Sequence, residues 1–132
     1  MSGAINLRTL IKEMEPKLNN GEYVFTTVSN VDTIPRSATL FEFKEVEGTT
    51  LVLKKATANC YNLSYQYVAS WITLTVHSSL EAVGLTAVFS KVLANHNISC
   101  NVVAGFYHDH IFVDKKDGEK TVKVLTDFSK NY

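Results

Sequence analysis

The stretch from Tyr67 to Val113, YVASWITLTVHSSLEAVGLTAVFSKVLANHNISCNVVAGFYHDHIFV, predicts a strand, a helix and two further strands in succession. Its opening residues, Tyr67–His77, alternate between an apolar and a more polar face, which is the period of two expected of a strand. Apolar residues then recur at helical spacing, at positions Leu85, Val88, Phe89, Val92 and Leu93. The segments that follow predict a strand over Ile98–Gly105, a strand over His110–Asp114 and a helix from Asp117. The predicted order of this half is therefore β-α-β-β-α.

The residues before this stretch predict a less regular set of elements. Apolar residues at helical spacing predict an amphipathic helix at the start, and they are Leu7, Leu10, Ile11, Met14 and Leu18. Strands are predicted over Glu22–Val28, Thr39–Val46 and Thr49–Lys54, and a short helix over Ala56–Leu63. The segment Leu51–Lys55 (LVLKK) is similar to Ile111–Lys116 (IFVDKK), which begins 60 residues further along. We therefore expect two diverged copies of one α/β unit, with domains over residues 1–64 and 65–132.

The composition is that of a globular protein with no electrostatic preference for nucleic acid or an acidic membrane. The 132 residues include 13 basic and 13 acidic side chains, so the formal net charge is zero. No apolar run approaches the roughly 18–20 residues that a membrane span needs, and Met1–Ala4 lacks the basic region of a signal peptide. We therefore expect a cytoplasmic protein that binds neither nucleic acid nor membrane, with Cys60 and Cys100 reduced.

Charged side chains are nearly missing from the middle of the chain. Between Ala56 and His108 only Glu81 and Lys91 are charged, whereas charged residues make up 20% of the whole. The helix face opposite the apolar stripe is made of small uncharged residues around Lys91, and these are Thr86, Ala87, Ser90 and Ala94. A solvated helix face usually carries more Lys and Glu. We therefore predict that another element covers this face, from the sister unit or from a second subunit, in a homodimer or higher homo-oligomer.

Several segments of the chain resemble the ACT domain. Leu74–Val113 is similar in its first strand, in the Gly84-Leu85 turn that opens a helix, and in the strand that carries Ile98 and Asn101. The chain is also similar to a family of small bacterial proteins with two tandem ACT-like units, in the segments GEYVF (Gly21–Phe25), EVEGTTLVL (Glu45–Leu53), SSLEAVGLTAVFS (Ser78–Ser90) and ISCNVVAGFYHDHIFV (Ile98–Val113). The resemblance implies an α+β, ferredoxin-like βαββαβ fold, with two ACT-like units packed together, antiparallel sheet or sheets, and helices on one side. It also implies ligand binding at an interface between ACT units, where the ligand of ACT regulatory domains is usually an amino acid.

The turn from the first strand of this unit into its helix is the candidate ligand site. Backbone N–H groups and the positive end of the helix dipole suit a carboxylate there, and Gly84 has no Cβ to block a close approach. The candidate ligand-binding residues are Ser78, Ser79, Gly84, Leu85 and Asn101. The alternative is structural: Ser78 and Ser79 cap the helix, and Gly84 serves the turn or its packing. The segment His77–Gly84 lacks the Asp-Arg-Pro-Gly-like turn of many ACT domains, so their ligand chemistry is not transferred.

Metal-binding and catalytic interpretations have less support in the sequence. His108 and His110 would share a face if they lay in a strand, and imidazoles suit Zn, Cu or Ni, but no third ligand is matched to them. Cys100 lies among apolar strand residues, which predicts a buried thiol rather than a nucleophile. We therefore expect no metal, no cofactor and no catalytic activity. The function predicted is a small-molecule-binding regulatory module, with an amino acid as the ligand; the alternative is an assembly module that binds no ligand.

Overall fold

The structure of the chain is a computed structural model that describes residues 6–76 and 83–132. In chain order its helices and strands are α1 (Leu7–Glu13), β1 (Glu15–Leu18), β2 (Tyr23–Val28), β3 (Phe41–Lys44), β4 (Thr49–Lys54), α2 (Lys55–Cys60), β5 (Val68–Thr75), α3 (Leu85–Asn95), β6 (Asn101–Ala104), β7 (Asp109–Asp114) and α4 (Gly118–Asn131). The chain divides into two compact units. The smaller unit is Asn20–Ala69, and the larger unit combines Met1–Asn19 with Ser70–Tyr132.

The larger unit has the strand arrangement of a ferredoxin-like fold, and one of its strands comes from the start of the chain. The strand order in its sheet is β1-β5-β7-β6. The strands β6 and β7 form an antiparallel hairpin, and β1 pairs antiparallel with β5, from Glu15 opposite Thr75 to Leu18 opposite Ile72. The elements β5-α3-β6-β7-α4 supply a βαββα sequence, and β1 takes the place of the last strand of a βαββαβ unit.

The smaller unit repeats this strand arrangement with fewer helical residues. Its strand order is β3-β4-β2-β5. The strand β2 pairs with β4 along its whole length, and it pairs with the first residues of β5 through Tyr23–Ala69 and Val24–Val68. The connection from β2 to β3 contains two 3-10 turns, Val31–Thr33 and Arg36–Ala38, where the larger unit has α3. The buried core residues of this unit are Val24, Ile34, Leu51, Leu53 and Ala58.

The core of the larger unit joins one face of its sheet to α1, α3 and α4. Its completely buried side chains are Leu10, Ile11, Ile72, Leu74, Phe89, Leu93, Ile111, Val113 and Leu125. The hydroxyl Oγ of Ser129 in α4 donates to the carbonyl oxygens of Ile11 at 2.7 Å and Lys12 at 3.1 Å. These bonds satisfy carbonyl groups at the end of α1 that have no partner within the helix. The first helix of the chain is therefore part of the larger unit's core.

The predicted first helix ends earlier than its apolar spacing indicates. The spacing predicts one helix through Leu18, and this is wrong, because α1 ends at Glu13 and Glu15–Leu18 form β1. Pro16 disfavours helical angles at Glu15. A proline is tolerated in β1 because this strand pairs with β5 at the edge of the larger unit's sheet. Backbone pairing between residues 54 to 60 positions apart thus outweighs the local helical preference.

The predicted α+β, ferredoxin-like class is confirmed, as is the β-α-β-β-α order of the second half. The predicted strand at Thr49–Lys54 has the observed bounds, whereas β6 begins at Asn101 rather than Ile98. The domain boundary that the sequence predicts between residues 64 and 65 stays a prediction. Among the residues that the structure describes, no helix has the length and apolar character needed to span a bilayer.

Candidate functional site

The helix α3 begins at a glycine in the left-handed region of backbone conformation. Gly84 is its N-cap, with φ of 101°, and its carbonyl accepts a bond from the N–H of Val88 at 3.0 Å. A Cβ at this position would lie 3.2 Å from Cδ2 of Leu7 in α1. Both the backbone conformation and this close approach therefore favour glycine. Among the described residues, the group nearest to this position is therefore an apolar side chain.

The other predicted ligand residues lie in different surroundings. The side chain of Leu85 is 3% exposed and belongs to the core, so only its backbone is left for a ligand. Asn101 is exposed at the start of β6, where its Nδ2 donates to the carbonyl of Phe112 at 3.4 Å. Ser78 and Ser79 lie outside the described residues. Gly84 and Leu85 thus lie at the start of α3, while Asn101 is held by β7.

The small uncharged face of α3 is open to solvent within the chain. Thr86, Ala87 and Ala94 are exposed, and Ser90 is half-buried with its hydroxyl donating to the carbonyl of Ala87 at 3.3 Å. The predicted covering element is either the sister unit or a second subunit. That covering stays a prediction.

His108 lies in the turn between β6 and β7, and His110 is the second residue of β7. The N–H of Gly105 donates to the carbonyl of His108 at 2.9 Å and closes this hairpin. A Cβ on Gly105 would lie 2.9 Å from that carbonyl and 3.2 Å from Nε2 of His110, so glycine lets the imidazole lie against the turn. Within residues 6–76 and 83–132, no group of three or more His, Cys, Asp or Glu side chains is placed to hold a metal ion.

Side chains of β5 hold the imidazole of His110. The indole Nε1 of Trp71 donates to Nδ1 of His110 at 3.0 Å, and Oγ1 of Thr73 lies 3.3 Å from the same nitrogen. Nδ2 of Asn19 donates to Oγ1 of Thr73 at 3.0 Å and to the carbonyl of Trp71 at 3.2 Å. The Trp71 ring also stacks on Phe112, with 6.5 Å between ring centroids. Sequence reasoning missed this cluster, because its hydrogen-bonded pairs are as much as 54 residues apart and no motif joins them.

Burial shifts the pKa values of two groups on β7 and of the cysteine directly before β6. Burial lowers the pKa of His110, and the neighbouring His108 lowers it further, while the Asp109 carboxylate acts in the opposite direction. Because an indole N–H can only donate, Nδ1 of His110 is an acceptor here, which requires the neutral ring with its proton on Nε2. Burial raises the pKa of Asp109, against the attraction of His110 and His108. Burial also raises the pKa of Cys100 to about 11, so this thiol is protonated and unreactive near neutral pH.

The Trp71–His110 hydrogen bond predicts a pH-dependent fluorescence signal. Trp71 is the single tryptophan of the chain, and protonation of Nδ1 removes its acceptor and places a positive imidazolium beside the indole. The folded-state pKa of His110 lies below its ordinary value, so the unfolded chain takes up the proton first. The free energy of unfolding should therefore be highest above about pH 6.5 and should fall as the pH drops through the folded-state pKa. A pH titration of Trp71 fluorescence and of the unfolding midpoint measures both effects.

The variant His110→Gln separates this titration from that of Asp109, because glutamine keeps an acceptor for the indole and does not titrate in this range. The exposed His96 offers a matched control as His96→Gln. The fluorescence step should disappear in His110→Gln and persist in His96→Gln. A step of equal size in His110→Gln would contradict the assignment.

Comparisons with known proteins place the chain in one family. Two family profiles, each described as an ACT domain, match residues 2–70 and 66–127. The chain therefore belongs to the ACT-domain family, with two ACT domains in tandem, and the resemblance of the sequence to tandem ACT proteins is confirmed. This family defines a class of regulatory modules rather than catalytic domains. A comparison with curated protein sequences finds no match.

Solved structures with the same fold include a relative of unestablished function. A Vibrio cholerae protein of unknown function, described as a possible transport protein, is 46% identical to this chain, covers 93% of it and 95% of its own length, and has a TM-score of 0.84. An Agobacterium tumefaciens protein is 20% identical over 88% of this chain and 89% of its own, with a TM-score of 0.69. The ligand-free regulatory subunit of aspartate kinase from Thermus thermophilus is 5% identical over 85% of this chain and 95% of its own, with a TM-score of 0.58. The last two show a likeness of fold alone.

Proposed function

We propose that this protein is a regulatory module that binds a free amino acid or a similar small acid at the start of α3 and has no catalytic activity of its own. The observation that carries the proposal is the start of α3 in the second ACT domain, where the helix begins at the left-handed Gly84. The first bond within the helix runs from the N–H of Val88, so the N–H groups of Leu85, Thr86 and Ala87 have no acceptor inside the helix. Backbone donors and the positive helix end favour a carboxylate at this position.

Three further features support this function. The two ACT-domain matches span both halves of the chain. The regulatory subunit of aspartate kinase from Thermus thermophilus has the same fold. Thr86 and Ala87 in the first turn of α3 are exposed, so their side chains do not close the helix end. In this proposal Ser78, Ser79 and Asn101 add hydroxyl and amide groups, and the protein acts in the cytoplasm as a homodimer or higher homo-oligomer.

A second candidate function is assembly without a ligand. Its support is the contact of Leu7 with Gly84, since a Cβ on Gly84 would lie 3.2 Å from Cδ2 of Leu7. In this alternative the glycine serves the packing of α1 on α3. The exposed, uncharged residues of α3 then form the contact with a second copy.

A screen of all common amino acids by thermal unfolding distinguishes the two functions. A ligand that binds only the folded state at about 100 times its Kd raises the free energy of unfolding by about 2.7 kcal/mol. We expect one amino acid, or a chemically related group, to raise the midpoint. The variant Asn101→Ala should lose most of this shift, and Asn95→Ala, at an exposed position near the end of α3, should keep it.

Light scattering on the same samples completes the comparison. A midpoint that no amino acid raises, together with a stable dimer, would support the assembly function. A monomer whose unfolding midpoint no amino acid raises would contradict both the ligand-binding function and the assembly function.

A further inference from the structure

A groove between α3 and α4 lies on the helical side of the larger unit, away from the start of α3. Its volume is about 680 Å³, which is within the range of small-molecule sites in proteins. The apolar floor is formed by Val92 of α3 and by Val124 and Phe128 of α4, which are half-buried and pack against the core. The ring of Tyr132 lies 5.5 Å from that of Phe128, centroid to centroid, and extends the floor at one end.

The rim of the groove carries more positive than negative charge. Lys120 and Lys123 line it together with one carboxylate, that of Asp127. Nζ of Lys123 lies 3.0 Å from Oδ2 of Asp127 in an ion pair that balances both charges. Nζ of Lys120 donates to the carbonyl of His96, the C-cap of α3, at 3.1 Å. In the described part of the chain Lys120 forms no ion pair, and its ammonium group keeps two further N–H donors.

His96, whose carbonyl accepts from Lys120, also lines the groove. Its Nδ1 lies 2.9 Å from the carbonyl of Val92. Since a carbonyl only accepts, Nδ1 carries a proton and donates, which fixes the orientation of the ring. The groove thus has one end with an uncompensated cation and a long apolar floor that leads away from it. This combination complements an amphipathic anion, because the charged head meets Lys120 while the body covers Val124 and Phe128.

We propose that the groove binds a small carboxylic acid with an apolar aryl or branched alkyl body, and that it is a ligand site separate from the start of α3. The carboxylate accepts from Nζ of Lys120, and the apolar body lies on Val92, Val124 and Phe128. A free amino acid fits less well, because its ammonium group would lie beside Lys120. The proposal stands whether or not the start of α3 binds an amino acid.

A titration of the 15N-labelled full chain with 4-phenylbutyrate tests the proposal. The amide signals of Val92, Val124 and Phe128 should shift in a saturable way, and those of Thr86 and Ala87 should stay in place. The uncharged probe 4-phenylbutyramide has the same apolar body and should bind about tenfold more weakly. The variant Lys120→Gln should weaken binding of the acid by about tenfold. Lys130→Gln, also an exposed lysine of α4 but outside the groove, should leave it unchanged.

Four outcomes would overturn the proposal. They are the absence of saturable shifts, equal binding of the acid and the amide, equal effects of Lys120→Gln and Lys130→Gln, and shifts that centre on Thr86 and Ala87. The last outcome would place the probe at the start of α3, and it would support the amino-acid site while removing the groove. Saturable shifts at Val124, together with a screen in which no amino acid raises the unfolding midpoint, would support the groove and remove the amino-acid site.

Discussion

Replacing Ile11 by alanine is expected to lower the free energy of unfolding by about 2–5 kcal/mol. Ile11 is completely buried in the core of the larger unit. The second segment of that unit begins only at Ser70, 59 positions further along the chain. The carbonyl of Ile11 accepts from Oγ of Ser129 at 2.7 Å, so α1 is tied to α4 as well as packed on it. Truncation leaves a cavity in a close-packed core, and the loss of contacts adds to the loss of buried apolar area. Urea denaturation of the variant and the native chain measures the difference.

The variant Thr9→Ala is the matched control, because Thr9 lies in the same helix and is exposed. Its effect should remain within about 0.5 kcal/mol. Hydrogen exchange locates the effect: amides of α3 and α4 should exchange faster in Ile11→Ala. A loss below about 1 kcal/mol, or unchanged exchange in α4, would show that residues 70–132 form their core without α1.

Replacing Gly118 by alanine is expected to destabilise the protein by about 1–3 kcal/mol, the range seen when an atom is forced into a packed core. The backbone angles of Gly118, φ −57° and ψ −55°, are those of a helix, so alanine by itself would gain about 1 kcal/mol. The steric effect acts in the other direction. The added Cβ would lie 2.7 Å from Oγ of Ser70, 3.0 Å from its Cβ and 3.2 Å from Cδ1 of Leu18. Oγ of Ser70 can rotate about its Cα–Cβ bond, but Cβ is fixed by the backbone of β5, so part of the overlap remains.

A second substitution identifies Ser70 as the obstacle. Ser70→Gly removes both of its close atoms, together with the long bond from its Oγ to the carbonyl of Lys115 at 3.3 Å. In the double variant Gly118→Ala/Ser70→Gly, the two changes should compensate with a coupling energy of about 0.5–3 kcal/mol. Chemical denaturation of all four proteins gives this value. Additive effects, or a stabilised Gly118→Ala variant, would contradict the steric explanation.

The parts of the fold that the sequence predicted are those governed by local periodicity. The apolar spacing on α3 places Leu85, Phe89 and Leu93 inside, and these side chains are buried. The alternation in β5 places Ile72 and Leu74 in the core. A helix with a period of 3.6 residues and a strand with a period of two each expose one face, so the pattern of side chains alone identifies the buried side. Motifs specific to tandem ACT proteins then indicated the class, which the family matches confirm.

The candidate site was less predictable, because each of its features depends on a distant neighbour. The sequence predicts a close approach at Gly84, but only the structure shows that Leu7 is the nearest of the described residues there. His110 was considered as a metal ligand, whereas its Nδ1 accepts from Trp71, 39 residues earlier in the chain. The groove between α3 and α4 had no sequence signal either, since its charges and apolar side chains fit the ordinary pattern of amphipathic helices.

The sequence by itself determined the ferredoxin-like class and the order of elements in the second half, because short-range patterns and family motifs are enough for both. Tertiary structure alone decided that the first residues of the chain complete the larger unit. Locally, Leu18 continues the apolar spacing of α1, yet in the fold Leu18 pairs with Ile72. A short helix beyond Pro16 would have little stability of its own. Backbone hydrogen bonds to β5 and the burial of Leu10 and Ile11 stabilise the strand and the docked helix more than continued helix would.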